Sequence, residues 1–152
     1  MKKRFNIESE FTPDYDEYMA LNPLEISELL KDSKTVAIVG ISDKPDRPSY
    51  GVAQFLLENS HFDLYFVNPL IEEVLGKKVY KSLAEIPVHI DIVDVFRKPA
   101  DCQVVLDESI EIGAGAVWLQ LGINVPEVET MAESAGVKVV MNRCIKIDYA
   151  AL

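Results

Sequence analysis

The sequence predicts an α/β protein of the doubly wound type, with a mainly parallel sheet covered by helices on both faces, and three observations carry that expectation. Short apolar runs recur along the chain, at Val36–Val39, Leu64–Val67, Ile90–Phe96, Ala116–Leu119 and Val137–Met141. These are continuous rather than alternating, as strands buried on both faces of a parallel sheet require. Amphipathic segments separate them, and the run ends at 40, 68, 96, 120 and 142 leave intervals of 28, 28, 24 and 22 residues, a strand-helix-strand rhythm. Parallel crossovers of one hand then distribute the helices over both faces.

Taken in order, residues 1–21 alternate between polar and aromatic types without a steady period and read as an N-terminal arm; 22–152 read as one domain. The first helix starts at Asn22, a capping residue followed by Pro23 and, at capping-box spacing, Glu25; Ile26, Leu29 and Leu30 form its apolar stripe, and it ends near Asp32. Val36–Val39 is closed by Gly40. The next helix, Gly51–Glu58, presents Val52, Ala53, Leu56 and Leu57. Between Leu70 and Pro87 the pattern is less regular, with Lys77–Tyr80 as a short extra strand and Ser82–Ile86 as a single helical turn. Asp101–Ile112 forms a helix with a less clean stripe. In the last predicted helix, Pro126–Ala135, Val128, Met131, Ala132 and Ala135 fall at i, i+3, i+4 and i+7.

Composition narrows the function. The 152 residues are 49% hydrophobic and 26% charged, ordinary values for one soluble domain. A net charge of −10 repels polyanions, so nucleic acid is not expected as a partner. No window has the length of a membrane span, and Met1-Lys2-Lys3-Arg4 runs into polar residues rather than a signal sequence. Cys102 and Cys144 lack metal or redox spacing, so a reducing cytoplasm is the expected compartment and no metal site is predicted.

In an acidic chain the few cations become informative. Ligands of open α/β sheets lie beyond the carboxyl ends of the strands. After the first strand comes Gly40-Ile41-Ser42-Asp43-Lys44-Pro45-Asp46-Arg47-Pro48-Ser49, a glycine turn and a loop with two cations leading into a helix start, whose free N–H groups suit phosphate. The glycine fingerprint of dinucleotide sites is missing, since Ser42 and Pro45 stand where it needs glycine. Asn68-Pro69 follows the second strand where an NAD site usually has an acid, and Arg97-Lys98 follows the third core run. Any one of these cations reads most simply as a solvated loop residue. Together, with 15 basic residues against 25 acidic ones, they read as a pocket for several phosphates.

At this point a family resemblance enters. Val36-Ala-Ile-Val-Gly-Ile-Ser42, Arg47-Pro-Ser-Tyr-Gly51, Val67-Asn-Pro69, Val95-Phe-Arg97, Val117-Trp-Leu-Gln120 and Asn142-Arg-Cys144 occur in the order seen in stand-alone CoA-binding proteins. Over residues 24–148 the chain resembles that family, which is similar to the N-terminal domain of the succinyl-CoA synthetase alpha subunit. The resemblance implies a Rossmann-like fold and coenzyme A or an acyl-CoA as the ligand, lying across the ends of the strands at 36–39, 64–67 and 90–96. By position, Gly40, Ile41, Ser42, Lys44, Arg47 and Ser49 would meet phosphates. Asn68 and Pro69 would lie by the adenosine, and Phe96, Arg97 and Lys98 by the diphosphate or pantetheine. The synthetase's second domain, with its phosphorylated histidine, has no counterpart here.

Catalysis finds little support in the same residues. His61 and His89 fall at the amino ends of strands, away from the expected pocket, and no nucleophile elbow is present. Asp91 and Asp94 point to opposite faces of a strand, so they do not form an acid pair; Asp94 is free to meet a loop or helix start instead. Trp118 reads as core, while Gln120 reads equally as core or ligand contact. Cys144 is first a plain thiol and second a residue that, with its pKa lowered by Arg143, forms a mixed disulfide with CoA. The expected function is therefore CoA or acyl-CoA binding without independent catalysis. The alternatives are an NAD(P)-dependent oxidoreductase, one component of a split acyl-CoA ligase, and an interaction module without ligand. A protein partner or self-association remains open among these.

Overall fold

The computed structural model describes residues 21–152. Helix α1 spans Pro23–Asp32 and opens with the expected capping box: Asn22 Oδ1 accepts from Glu25 N at 2.8 Å while Glu25 Oε1 accepts from Asn22 N at 3.0 Å. The chain continues through β1 (Thr35–Val39), α2 (Pro48–Asn59), β2 (Asp63–Val67), β3 (Glu73–Val74) and β4 (Lys77–Tyr80). After a single 3-10 turn at Leu83–Glu85 follow β5 (Ile92–Val95), α3 (Cys102–Glu111), β6 (Ala116–Leu119), α4 (Pro126–Ser134), β7 (Lys138–Val140) and α5 (Ile145–Ala150).

The strands form one sheet in the order β3-β4-β2-β1-β5-β6-β7. All neighbours are parallel except β3, which returns antiparallel along β4. From β1 the chain first moves outward to β2 and β4 and then crosses back to β5 on the other flank of β1. This reversal leaves a crevice at the carboxyl ends of β1 and β5, because the connections after those strands depart in opposite directions.

Alternation along the strands builds two cores. Val36 and Ile38 of β1 join Phe66, Ile92 and Trp118 beneath α1, α2 and α5; Ala37 and Val39 join Val93, Val95, Val117 and Leu119 beneath α3 and α4. Every residue of β5 and β6 is buried, which is why their sequences are unbroken apolar runs apart from Asp94.

Several expectations shift in detail. Strand β5 is shorter than the apolar run that contains it and excludes Asp91. Leu57 is 38% exposed and Ala135 is exposed, so neither belongs to the packed stripe assigned to its helix. Helix α5 and strand β3 have no counterpart in the sequence pattern: each is too short for a period to show. The arm predicted over residues 1–21 lies, apart from Leu21, outside the described residues.

Candidate functional site

Gly40 follows β1 with φ +87°, and its N–H donates to Val67 O at 2.9 Å, so the sheet ladder continues to the first residue of the loop. Phe96 N donates to Val39 O at 2.9 Å on the opposite side, which presses the backbone after β5 against Gly40. A Cβ at Gly40 would collide with the Phe96 carbonyl oxygen and stand 2.9 Å from Cδ of Arg97. Glycine is required here both for its backbone conformation and for this close approach.

The loop that follows is held by short side chains. Ser49 Oγ accepts from Ser42 N at 2.9 Å, and Ser42 Oγ accepts from Lys44 N at 3.1 Å. Asn68 ties the neighbouring turn to it, its Nδ2 donating to Ile41 O at 2.7 Å while its Oδ1 accepts from Leu70 N at 2.8 Å. Helix α2 then begins at Pro48 with no side-chain cap on its first N–H groups.

Beyond these groups lies a cleft of about 440 Å³. Seven of the residues singled out from the sequence line it: Gly40, Ser42, Arg47, Ser49, Phe96, Arg97 and Lys98. The remaining four are elsewhere. Ile41 is fully buried in the core, Lys44 is exposed outside the cleft wall, and Asn68 serves the hydrogen bonds just described. Pro69 lines a second cavity of about 240 Å³, together with Lys81, Ser82, Val104 and Glu108. Arg97 lines both spaces. Its nearest carboxylate, Asp101, is 3.5 Å away across a half-exposed gap, a loose pairing that leaves most of the guanidinium's donors available.

Residues that sequence reasoning did not assign complete the walls. Val52, Leu121 and Ile123 are apolar and were indistinguishable from core by composition. Lys81 follows β4 directly, so the rule that flagged cations at strand ends, applied to that short strand as well, would have found it.

Gln120 and Cys144 also line the cleft. Gln120 Oε1 accepts from Ile145 N at 3.1 Å and so fixes the start of α5. Arg143, next to Cys144, donates from Nε and Nη2 to the Asp148 carboxylate at 2.8 and 2.9 Å. Its charge is thus committed to a bidentate pair, which weakens the expectation that it activates Cys144. Trp118 is fully buried, its Nε1 donating to Arg143 O at 2.8 Å.

The histidines, Asp91 and Asp94 stand apart. His61, just before β2, contacts Tyr149 Oη through Nδ1 at 2.8 Å and Ser33 O through Nε2 at 2.7 Å, and His89 lies 3.3 Å from Asp91. Burial pushes the Asp91 carboxyl up, but the N–H groups of Lys34 and Thr35, at 2.7 and 3.2 Å, and the nearby His89 hold it below the usual range. Asp94 meets neither a loop nor a helix start, contrary to expectation. It is fully buried between Ile38 and Trp118 of the adjoining strands with both oxygens unpartnered, and burial raises its pKa well above the ordinary value. Among the described residues no group of three or more His, Cys, Asp or Glu forms a metal-binding cluster, and no helix is long and apolar enough to cross a membrane.

A doubly wound sheet with a cation-lined cleft at its switch point defines a Rossmann-like fold with a candidate ligand site. Residues 34–150 match the family model described as a CoA binding domain, and the chain belongs to that family. It is 40% identical over 126 residues to the uncharacterized protein YneT of Bacillus subtilis, covering 83% of this chain and 93% of that protein. A hypothetical protein from Pyrococcus horikoshii has the same fold at a TM-score of 0.85 and 38% identity, over 93% of this chain and 96% of that one. The alpha subunit of an ADP-forming acetate–CoA ligase from Pyrococcus furiosus is 29% identical over 74% of this chain, which spans only 27% of that subunit.

Proposed function

We propose that the chain binds coenzyme A, free or acylated, at the carboxyl ends of β1, β2, β5 and β6, without independent catalysis. The observation that carries the reading is the position of Arg97 in the walls of both cavities. A ligand with a nucleoside at one end, a charged middle and a thin arm at the other matches that layout. The nucleoside would lie by Pro69, Lys81 and Ser82, the phosphates by Arg97, Lys98 and Arg47 near the start of α2, and the pantetheine arm across Phe96 and Val52. The adenosine contact implied for Asn68 is then restricted, since one N–H and one lone pair of its amide are already engaged by Ile41 and Leu70.

No acid or base is assigned, because His61 and His89 stand at the other end of the sheet. A second reading, one component of a split acyl-CoA ligase, is favoured by the similarity to the acetate–CoA ligase subunit and would require a partner chain. The free thiols of Cys102 and Cys144 suit a cytoplasmic location.

Titration calorimetry with CoA, dephospho-CoA, NAD and ATP side by side tests the reading. CoA should bind most tightly, and the gap to dephospho-CoA reports whether the third phosphate is recognised. Indifference to all four ligands would overturn the proposal and favour an interaction module.

A further inference from the structure

Gln120 is 4% exposed, yet half of its carboxamide has no partner among the described residues. The backbone N–H of Ile145 can only donate, so the oxygen that accepts from it is Oε1 and the amide orientation is settled by chemistry. The Nε2 group, with two N–H donors, is bonded to none of the described residues, and it is not sealed off inside the core either. A nearly buried donor held in one orientation in a cleft wall is costly to leave unpaired, and a ligand acceptor would relieve that cost.

We propose that Gln120 donates a hydrogen bond to the carbonyl oxygen of an acyl thioester, so that the preferred occupant is an acyl-CoA with a short, uncharged acyl group. The inference rests on the cleft being a CoA site. Strand order then orients the ligand: Pro69 follows β2 on one side of β1, whereas Gln120 follows β6 on the far side of β5. A ligand with its nucleoside by Pro69 carries its sulfur end to Gln120, beside Cys144 and the start of α5. Leu121 and Ile123 adjoin that end, and Leu121 is 64% exposed at the cleft wall, an apolar surface that an acyl chain would cover. Among the described residues the cation adjacent to that end, Arg143, is held by Asp148, while Arg47, Arg97 and Lys98 follow other strands and would serve the phosphates in this reading, which disfavours a carboxylated acyl group.

Calorimetry on the whole chain with CoA, acetyl-CoA, the thioether S-ethyl-CoA and succinyl-CoA tests this. Acetyl-CoA should bind about three- to tenfold more tightly than S-ethyl-CoA, which has the same shape without the carbonyl, and more tightly than succinyl-CoA. Gln120→Glu keeps an oxygen for Ile145 N but removes the donor, and should erase the advantage of acetyl-CoA over the thioether. Equal binding of acetyl-CoA and S-ethyl-CoA to the unmodified chain overturns the inference while leaving CoA binding intact, and that comparison stands even if the variant does not fold. Failure of all four ligands overturns the CoA reading itself.

Discussion

The backbone carbonyl of Phe96 occupies the space where a side chain at Gly40 would begin. This contact joins the ends of β1 and β5 at the point where the winding of the sheet reverses, and it brings Arg97 to the cleft beside the first loop. Gly40→Ala would add a methyl group to an occupied site at a backbone φ of +87°. We expect a loss of roughly 2–5 kcal/mol in chemical denaturation, the sum of a left-handed conformation and overpacking. A variant of unchanged stability would show that the two strand ends separate easily.

Asn68 is predicted to matter through the loop it braces. Asn68→Asp keeps the acceptor for Leu70 N but sets a carboxylate against the Ile41 carbonyl. Its melting temperature should fall by an amount corresponding to about 1–3 kcal/mol, with weaker CoA binding as a consequence. An unaltered melting curve would remove the bracing role.

Arg97→Ala should weaken CoA binding by about 1.5–3 kcal/mol if the guanidinium meets phosphate, and should reduce the dependence of affinity on salt. Because the pairing with Asp101 is loose and half exposed, stability should change little. Calorimetry at two ionic strengths reads both effects.

Asp94 makes stability depend on pH. Its carboxyl is held protonated in the folded protein by burial, whereas the unfolded chain ionises it near pH 4. Between the unfolded pKa and the raised folded one, the folded state holds the extra proton, so stability falls as pH rises, by up to about 1.4 kcal/mol per pH unit from this group. A carboxamide does not titrate, so Asp94→Asn should lack this slope and gain on the parent as pH rises above the unfolded pKa. Parallel stability curves for the two proteins would refute a protonated Asp94.

The two cysteines should differ in reactivity. Cys144 is half-buried in the cleft wall, whereas Cys102 is sealed, its thiol donating to Lys98 O at 3.4 Å and its pKa raised by burial and by Asp101. Iodoacetamide should therefore add one group, at Cys144, and bound CoA should slow the reaction. Modification of Cys102 first, read by peptide mass spectrometry, would contradict the assignment of the walls.

Residues whose role depends on neighbours in sequence are legible from the sequence itself. Asn22, Pro23 and Glu25 specify a helix start through contacts three residues apart, and the apolar runs specify buried parallel strands because both faces must be covered. From those runs the location of the cleft followed, and Arg47, Arg97 and Lys98 do meet there. What the chain alone left open depended on groups distant in sequence. Whether Asn68 faces a ligand or Ile41, whether Arg143 is free or held by Asp148, and whether Gln120 is core or cleft wall are decided by which hydrogen-bonding partner the fold brings within reach. The pattern of hydrophobic residues sets the sheet, because burying apolar surface depends on periodicity along the chain; the state of each polar group is set only when packing brings, or withholds, its partner.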